Sequence, residues 1–174
     1  MSMGCKRMIK RFFAILITTL LSFPAAGSES VVNVKAPEFA LDDQYNNHYD
    51  IRQDVGKVIV LLASDGDGAA QNKQWVDNIE KRYGKNIIPI IGIADVRKVP
   101  RWLRGMVKRE FKKTPVGVLL DWKGVVFTSY GLSEYVANIV LIDKKGFVRY
   151  IYSGEATPEA CQGLFMEIDK LSQN

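Results

Sequence analysis

The chain has 174 residues, a formal net charge of +5 and 47% hydrophobic residues. That is enough for one ordinary domain with a sizeable core. The basic excess does not point to nucleic acid: four of the cations lie in the first 27 residues, which hold no acidic residue, so the rest of the chain carries only +1.

Those cations, Lys6, Arg7, Lys10 and Arg11, precede a 12-residue apolar run from Phe12 to Phe23, and Pro24-Ala25-Ala26-Gly27-Ser28 follows with small residues. The pattern is that of a secretory signal peptide cleaved after residue 27, leaving one domain over 28–174 in the periplasm or outside the cell. The rival is an uncleaved anchor. Twelve apolar residues fall short of the about 20 that a spanning helix needs, so no transmembrane segment is expected after cleavage. Cys5 stands before the apolar run, where lipid attachment is not expected. Its loss leaves Cys161 alone, with no internal disulfide and no CxxC pair.

Along the mature chain, Val31 to Val34 reads as a short first strand. Tyr45-Asn46-Asn47-His48 reads as a hairpin turn, because Asn tolerates the left-handed region. Val58 to Ala63 is a continuous apolar run, as expected of a strand covered on both faces. Ser64 to Gly68 is a tight loop with two Gly and two Asp. A helix follows from about Ala69 to Tyr83, with Gly84 as its stop. Asn86 to Ile93 is a second apolar strand, and Pro89 within it favours an edge or a bulge. A second helix follows Asp95 to Lys98, with Pro100 near its first turn. Trp102, Leu103, Met106, Val107 and Phe111 fall on one side of it at helical spacing. Val116 to Leu120 is a third strand. Val125 to Tyr130 is a short helix closed by Gly131. Val136 to Ile142 and Phe147 to Tyr152 form a hairpin across Asp143-Lys144-Lys145-Gly146. Thr157-Pro158-Glu159 opens a last helix whose stripe carries Cys161, Leu164, Phe165, Ile168 and Leu171. The order predicts an α/β domain with a central mixed sheet flanked by helices, behind an N-terminal hairpin.

Four segments in the right order resemble the thioredoxin-like redoxins, the group holding peroxiredoxins and periplasmic thiol-disulfide proteins. They are Ala36-Pro37-Glu38-Phe39-Ala40-Leu41-Asp42-Asp43, Gly56 through Ser64, Leu120-Asp121-Trp122-Lys123-Gly124 with Tyr130-Gly131, and Val140-Leu141-Ile142-Asp143 through Gly154. The layout is most similar to the YtfJ-type periplasmic branch, which also lacks the cysteine pair. The resemblance implies a thioredoxin-like fold with its active site in the loop after the first central strand. There the chain departs from the family: Gly66-Asp67-Gly68-Ala69 stands where the CxxC belongs, and Ala137 where the resemblance implies a cis-proline. None of these side chains can be the thiolate nucleophile that redox chemistry needs at a helix N-terminus.

Other candidates are weaker. Asp65 and Asp67 could bind a metal, but an EF-hand starting at Asp65 would need a Glu where Val76 stands, and Ala69 is no ligand. The expectation is that one Asp caps the helix and that no metal or cofactor binds. Anion binding on the Asp65–Ala70 backbone is opposed by the carboxylates beside it. His48, the only histidine, reads as a surface turn residue. Cys161 reads as a small buried hydrophobe, or alternatively as a reactive thiol acting alone or with a partner's cysteine. Arg97, Lys98, Arg101, Arg104, Lys108, Arg109, Lys112 and Lys113 make a basic helix suited to an unidentified protein partner or an anionic membrane surface. The alternative is a solvated basic face over an apolar side that belongs to the core. Together these readings favour an exported, redox-inactive binding or adaptor protein, with a thiol oxidoreductase or peroxidase using Cys161 as the second reading.

Overall fold

The computed structural model describes residues 32–172. The signal-peptide expectation falls outside them. The described chain opens with a hairpin, β1 (Ala40–Asp42) paired antiparallel with β2 (His48–Asp50). The turn between them puts Asn46 at φ +69° and ties the backbone N–H groups of Tyr45 and Asn47 to Asp43 Oδ1. Gln44, fully buried, anchors the hairpin to the sheet edge: it donates to Val116 O and accepts from Val118 N, each at 2.8 Å.

The domain then runs β3 (Ile59–Ser64), α1 (Asn72–Tyr83), β4 (Ile90–Asp95), α2 (Arg104–Phe111), β5 (Val118–Asp121), α3 (Val125–Ser129), β6 (Asn138–Ile142), β7 (Val148–Ser153) and α4 (Pro158–Ser172). The sheet order is β5-β4-β3-β6-β7. β3, β4 and β5 are parallel; β6 lies antiparallel to β3, and β7 antiparallel to β6. β3 is central and buried at every position, which is why it reads as an unbroken apolar run rather than an alternation.

The two faces of β3 and β6 carry separate cores. Leu61, Ala63 and Val140 pack with Phe39, Phe127 and Tyr130 beneath the hairpin and α3. Val60, Leu62, Ile139 and Leu141 pack with Trp75, Ile79, Leu164 and Ile168 of α1 and α4. α4 begins as its sequence predicts, with Thr157 Oγ1 accepting from Ala160 N. Gly84 and Gly131 close their helices at positive φ, and the Asp143–Gly146 turn is held by Asp143 Oδ1 on two backbone N–H groups.

Four expectations need correction. Residues 32–34 form a turn and bend rather than a strand; they reach β7 through single backbone bonds such as Asn33 N to Val148 O. The second apolar strand starts at Ile90 and runs on through Asp95, so Pro89 precedes it, and that strand is internal. Pro89 needs no edge because it only accepts there, from Val60 N at 2.9 Å. Trp102 and Met106 are not core residues: they are 81% and 57% exposed, and α2 buries no residue fully. Trp102 lies in a 3-10 turn ahead of α2, so an α-helical count from it points the wrong way. Of the eight basic residues only Arg104, Lys108 and Arg109 lie on α2: Arg97 and Lys98 precede the 3-10 turn, Arg101 is in it, and Lys112 and Lys113 follow the helix.

Candidate functional site

The loop after β3 ends at a 3-10 turn, Gly68–Gln71, that leads into α1. Asp65 is its capping residue. Its Oδ1 accepts from Gly68 N and its Oδ2 from Tyr135 N, both at 2.9 Å. One carboxylate therefore joins two loops, the start of α1 and the segment leading into β6. Burial pushes the Asp65 carboxyl up, but these backbone donors more than offset it and hold it below the usual carboxylate range. Asp67 is exposed and makes no cap bond.

The second loop is fastened at further points. Ala137 N, an N–H that proline would lack, donates to Gln71 Oε1 at 2.9 Å. Asn138, fully buried, donates to Ser133 O and accepts from Ser133 N, and also takes the Ser153 hydroxyl at 2.6 Å. Gly68 lies so close to this segment that a Cβ there would sit 2.4 Å from Val136 O. Tyr135 holds φ +67° with its side chain 60% exposed, and Lys98 Nζ lies 4.9 Å from its ring centre. A non-glycine residue in the left-handed region beside a fold's active-site loop is held there by its surroundings, here by Asp65.

The loop thus presents a hydrogen-bonded knot. Its mouth is Gly66, Asp67, Ala69 and Tyr135, all exposed. Gln71, Tyr135 and Asn138 were missed in the sequence. Their partners lie five to 70 positions away, and only Asn at the start of an apolar strand gave any local signal.

Cys161 is buried among the α1 and α4 residues, and burial pushes its thiol up. The cavity it touches is lined by Asn78, Arg82, Phe165 and Asp169 among others, and by no residue of the 64–69 loop. His48 Nδ1 lies 2.9 Å from Asp42 Oδ1 on the exposed hairpin. Among the described residues no group of three or more His, Cys, Asp or Glu is placed to hold a metal ion.

The basic residues divide between two environments. Arg97 pairs with Asp95 at 2.9 Å and with Glu134 at 2.7 Å, and Lys98 pairs with Glu134 at 2.8 Å. The hydrogen bond from Lys98 holds the Glu134 carboxyl low. Arg104 stacks over Trp122, Lys108 donates to Asn46, Lys112 lies over Tyr45 and Lys113 pairs with Glu110. Arg101 and Arg109 remain on the outward face of the α2 segment beside Trp102 and Met106.

No family model and no curated protein matches the sequence. Solved structures do. The exposed lipoprotein thioredoxin of Streptococcus pneumoniae superposes with a TM-score of 0.60 at 17% identity, over 75% of this chain and 99% of that one. A putative thiol:disulfide interchange protein DsbE of Chlorobium tepidum gives 0.61 at 20% identity, over 80% and 96%. A 2-Cys peroxiredoxin of Plasmodium vivax gives 0.57 at 17%, over 82% and 97%. The chain has the thioredoxin-like fold, with a central mixed sheet flanked by helices. Its structural neighbours are redoxins, as the four sequence segments imply.

Proposed function

We propose that this is an exported thioredoxin-fold protein whose redox site is degenerate, and that it works by binding. The observation that carries the reading is the absence of sulfur at positions 66 and 69, where the loop is instead tied to residues 135–137 through Asp65 and Gln71. Thiol exchange needs an accessible, low-pKa thiolate. The remaining cysteine is buried and shifted the other way. The basic and apolar N-terminal pattern supports export, as does the likeness to an exposed lipoprotein thioredoxin.

Purified protein should reduce neither insulin disulfide nor peroxide above the background of the added reductant, and Cys161→Ser should change nothing. Turnover by the parent that Cys161→Ser abolishes would reverse this reading in favour of a thiol oxidoreductase.

A membrane-surface role has one specific observation behind it. Trp102 and Met106 are exposed, with Arg101 and Arg109 on the same outward face and Lys112 and Lys113 beyond them. An aromatic and a thioether flanked by cations suit the headgroup boundary of an anionic bilayer. Arg101→Glu with Arg109→Glu should weaken binding to phosphatidylglycerol vesicles, read by co-sedimentation, by about 30-fold or more, at about 1 kcal/mol for each of the two juxtamembrane cations lost. Trp102→Ala should weaken it further. Equal sedimentation by parent and variants would remove the membrane from consideration.

A further inference from the structure

Resting on the binding-module reading, we infer that the groove between α1 and α2 is a ligand site for an aliphatic amine. The groove has a volume of about 740 Å³ and reaches the degenerate loop, with Ser64, Asp65 and Gly66 in its lining. A cavity of that size with an apolar lining and a few polar groups is the usual form of a small-molecule site.

Three observations define what it takes. The first is the floor. Gly92 sits in the middle of β4, between Leu62 of β3 and Val118 of β5 in register. A Cβ at Gly92 would meet only Val118 Cγ2, at 3.8 Å. A glycine inside a strand weakens it and marks close approach by another group. Here the space above it is the groove itself, walled by Val76 of α1 and by Val107 and Phe111 of α2. Those walls are only partly buried, although all three side chains are large and apolar.

The second is the polar pattern of α1. Asn72, Val76 and Glu80 line the groove at i, i+4 and i+8, one stripe spanning about 12 Å. Asn72 Nδ2 donates to Ser64 Oγ at 2.8 Å, but Asn72 Oδ1 is shielded from solvent and has no partner. The Glu80 carboxylate has no ion pair or hydrogen bond. An orphaned acceptor away from water calls for a donor.

The third is charge. The lining holds Asp65, Glu80 and Asp95 but no Lys or Arg. Asp65 is saturated by backbone N–H groups and Asp95 is paired with Arg97, which leaves Glu80 as the free charge. A fatty carboxylate would meet only negative charge there. A hydrocarbon chain lying over Gly92, with an ammonium on Glu80 and a second donor at Asn72 Oδ1, gives a partner to both of these groups.

Calorimetry of the full chain with α,ω-diaminodecane, and separately with decanoate, tests this. Diaminodecane should bind saturably and decanoate should not. Glu80→Gln should weaken diaminodecane about fivefold, the upper range for one partly exposed ion pair. Gly92→Ile should abolish binding by filling the floor with a residue that strands accept. Val107→Trp, which fills the groove from the opposite wall, should abolish it independently should the first variant misfold. Absence of saturable diaminodecane binding, preference for decanoate, or binding that both filling variants leave intact would overturn the assignment. None of these results bears on insulin or peroxide turnover, so the redox-inactive reading stands or falls separately.

Discussion

Gly66→Cys together with Ala69→Cys should turn the cysteine-free 64–69 loop into a working dithiol, taking insulin reduction from background to measurable turnover. The backbone has room for both. A Cβ at Gly66 meets nothing within 4 Å, and its φ lies outside the left-handed region. Ala69 is exposed, so its replacement disturbs no packing. The two positions are three apart at the start of the turn that leads into α1, where the helix end favours a thiolate. Gly68 has to stay, because any side chain there would strike the Val136 carbonyl.

Full thioredoxin-like reactivity is not expected. Asp67 is exposed beside the new thiol and would oppose its ionisation, whereas both Asp65 oxygens are already occupied. The pKa of the thiol at position 66 should lie below that of a free cysteine, because of the helix end, but above that of a thioredoxin thiol, because of the Asp67 carboxylate. Asp67→Asn in the same background should lower it and raise the rate. Gly66→Cys alone should alkylate readily but give no dithiol turnover. If the double variant fails to form its internal disulfide under mild oxidation, the 66–69 segment lacks the geometry that the fold comparison implies.

How far the sequence could be read follows from the range of each interaction. The Val58–Ala63 run, the Asp143–Gly146 turn, the Thr157 cap and the stop at Gly84 rest on residues a few positions apart, and each stands where the sequence placed it. The errors arose where a local pattern had a distant cause. Trp102 and Met106 have helical spacing, but the helix is short and begins after Trp102, and the packing side is Leu103, Val107 and Phe111. Eight basic residues read as one surface, yet most are drawn off by partners that no spacing rule connects to them, such as Glu134 and Asn46. That the 64–69 loop carries no cysteine was legible directly. The hydrogen-bond knot that ties this loop to residues 135–137 was not, because the Asp65 contact to Tyr135 spans 70 positions. The groove was invisible for the same reason: its walls come from separate elements, and Gly92 reads as an ordinary glycine in an apolar run.

The knot around Asp65 should carry a large share of the domain's stability. Asp65→Ala is expected to cost about 4 kcal/mol, from two charge-assisted hydrogen bonds to backbone donors at about 1.5–3 kcal/mol each. That lowers the melting temperature by about 10 °C for a domain of this size. Loss of the Tyr135 contact also removes the support of a left-handed tyrosine. Asp65→Asn separates charge from shape. An amide can accept from Gly68 or from Tyr135 but turns an N–H toward the other, so it should lose about half as much. The pH dependence gives the sharper test. The folded carboxyl titrates below its unfolded value, so its contribution is complete above about pH 5 and is lost as the pH falls through the folded pKa. The gap in urea stability between parent and Asp65→Asn should therefore narrow from pH 6 toward about pH 2. Asp43 and Asp143 are also held low, by partners other than Asp65, so they cancel in the difference; the curve then reports Asp65 together with the repulsion its charge exerts on Glu134 and Asp95. A gap that stays constant across that range would mean that the two loops are joined by packing at Gly68 and Val136, and that the charge on Asp65 contributes nothing to the joint.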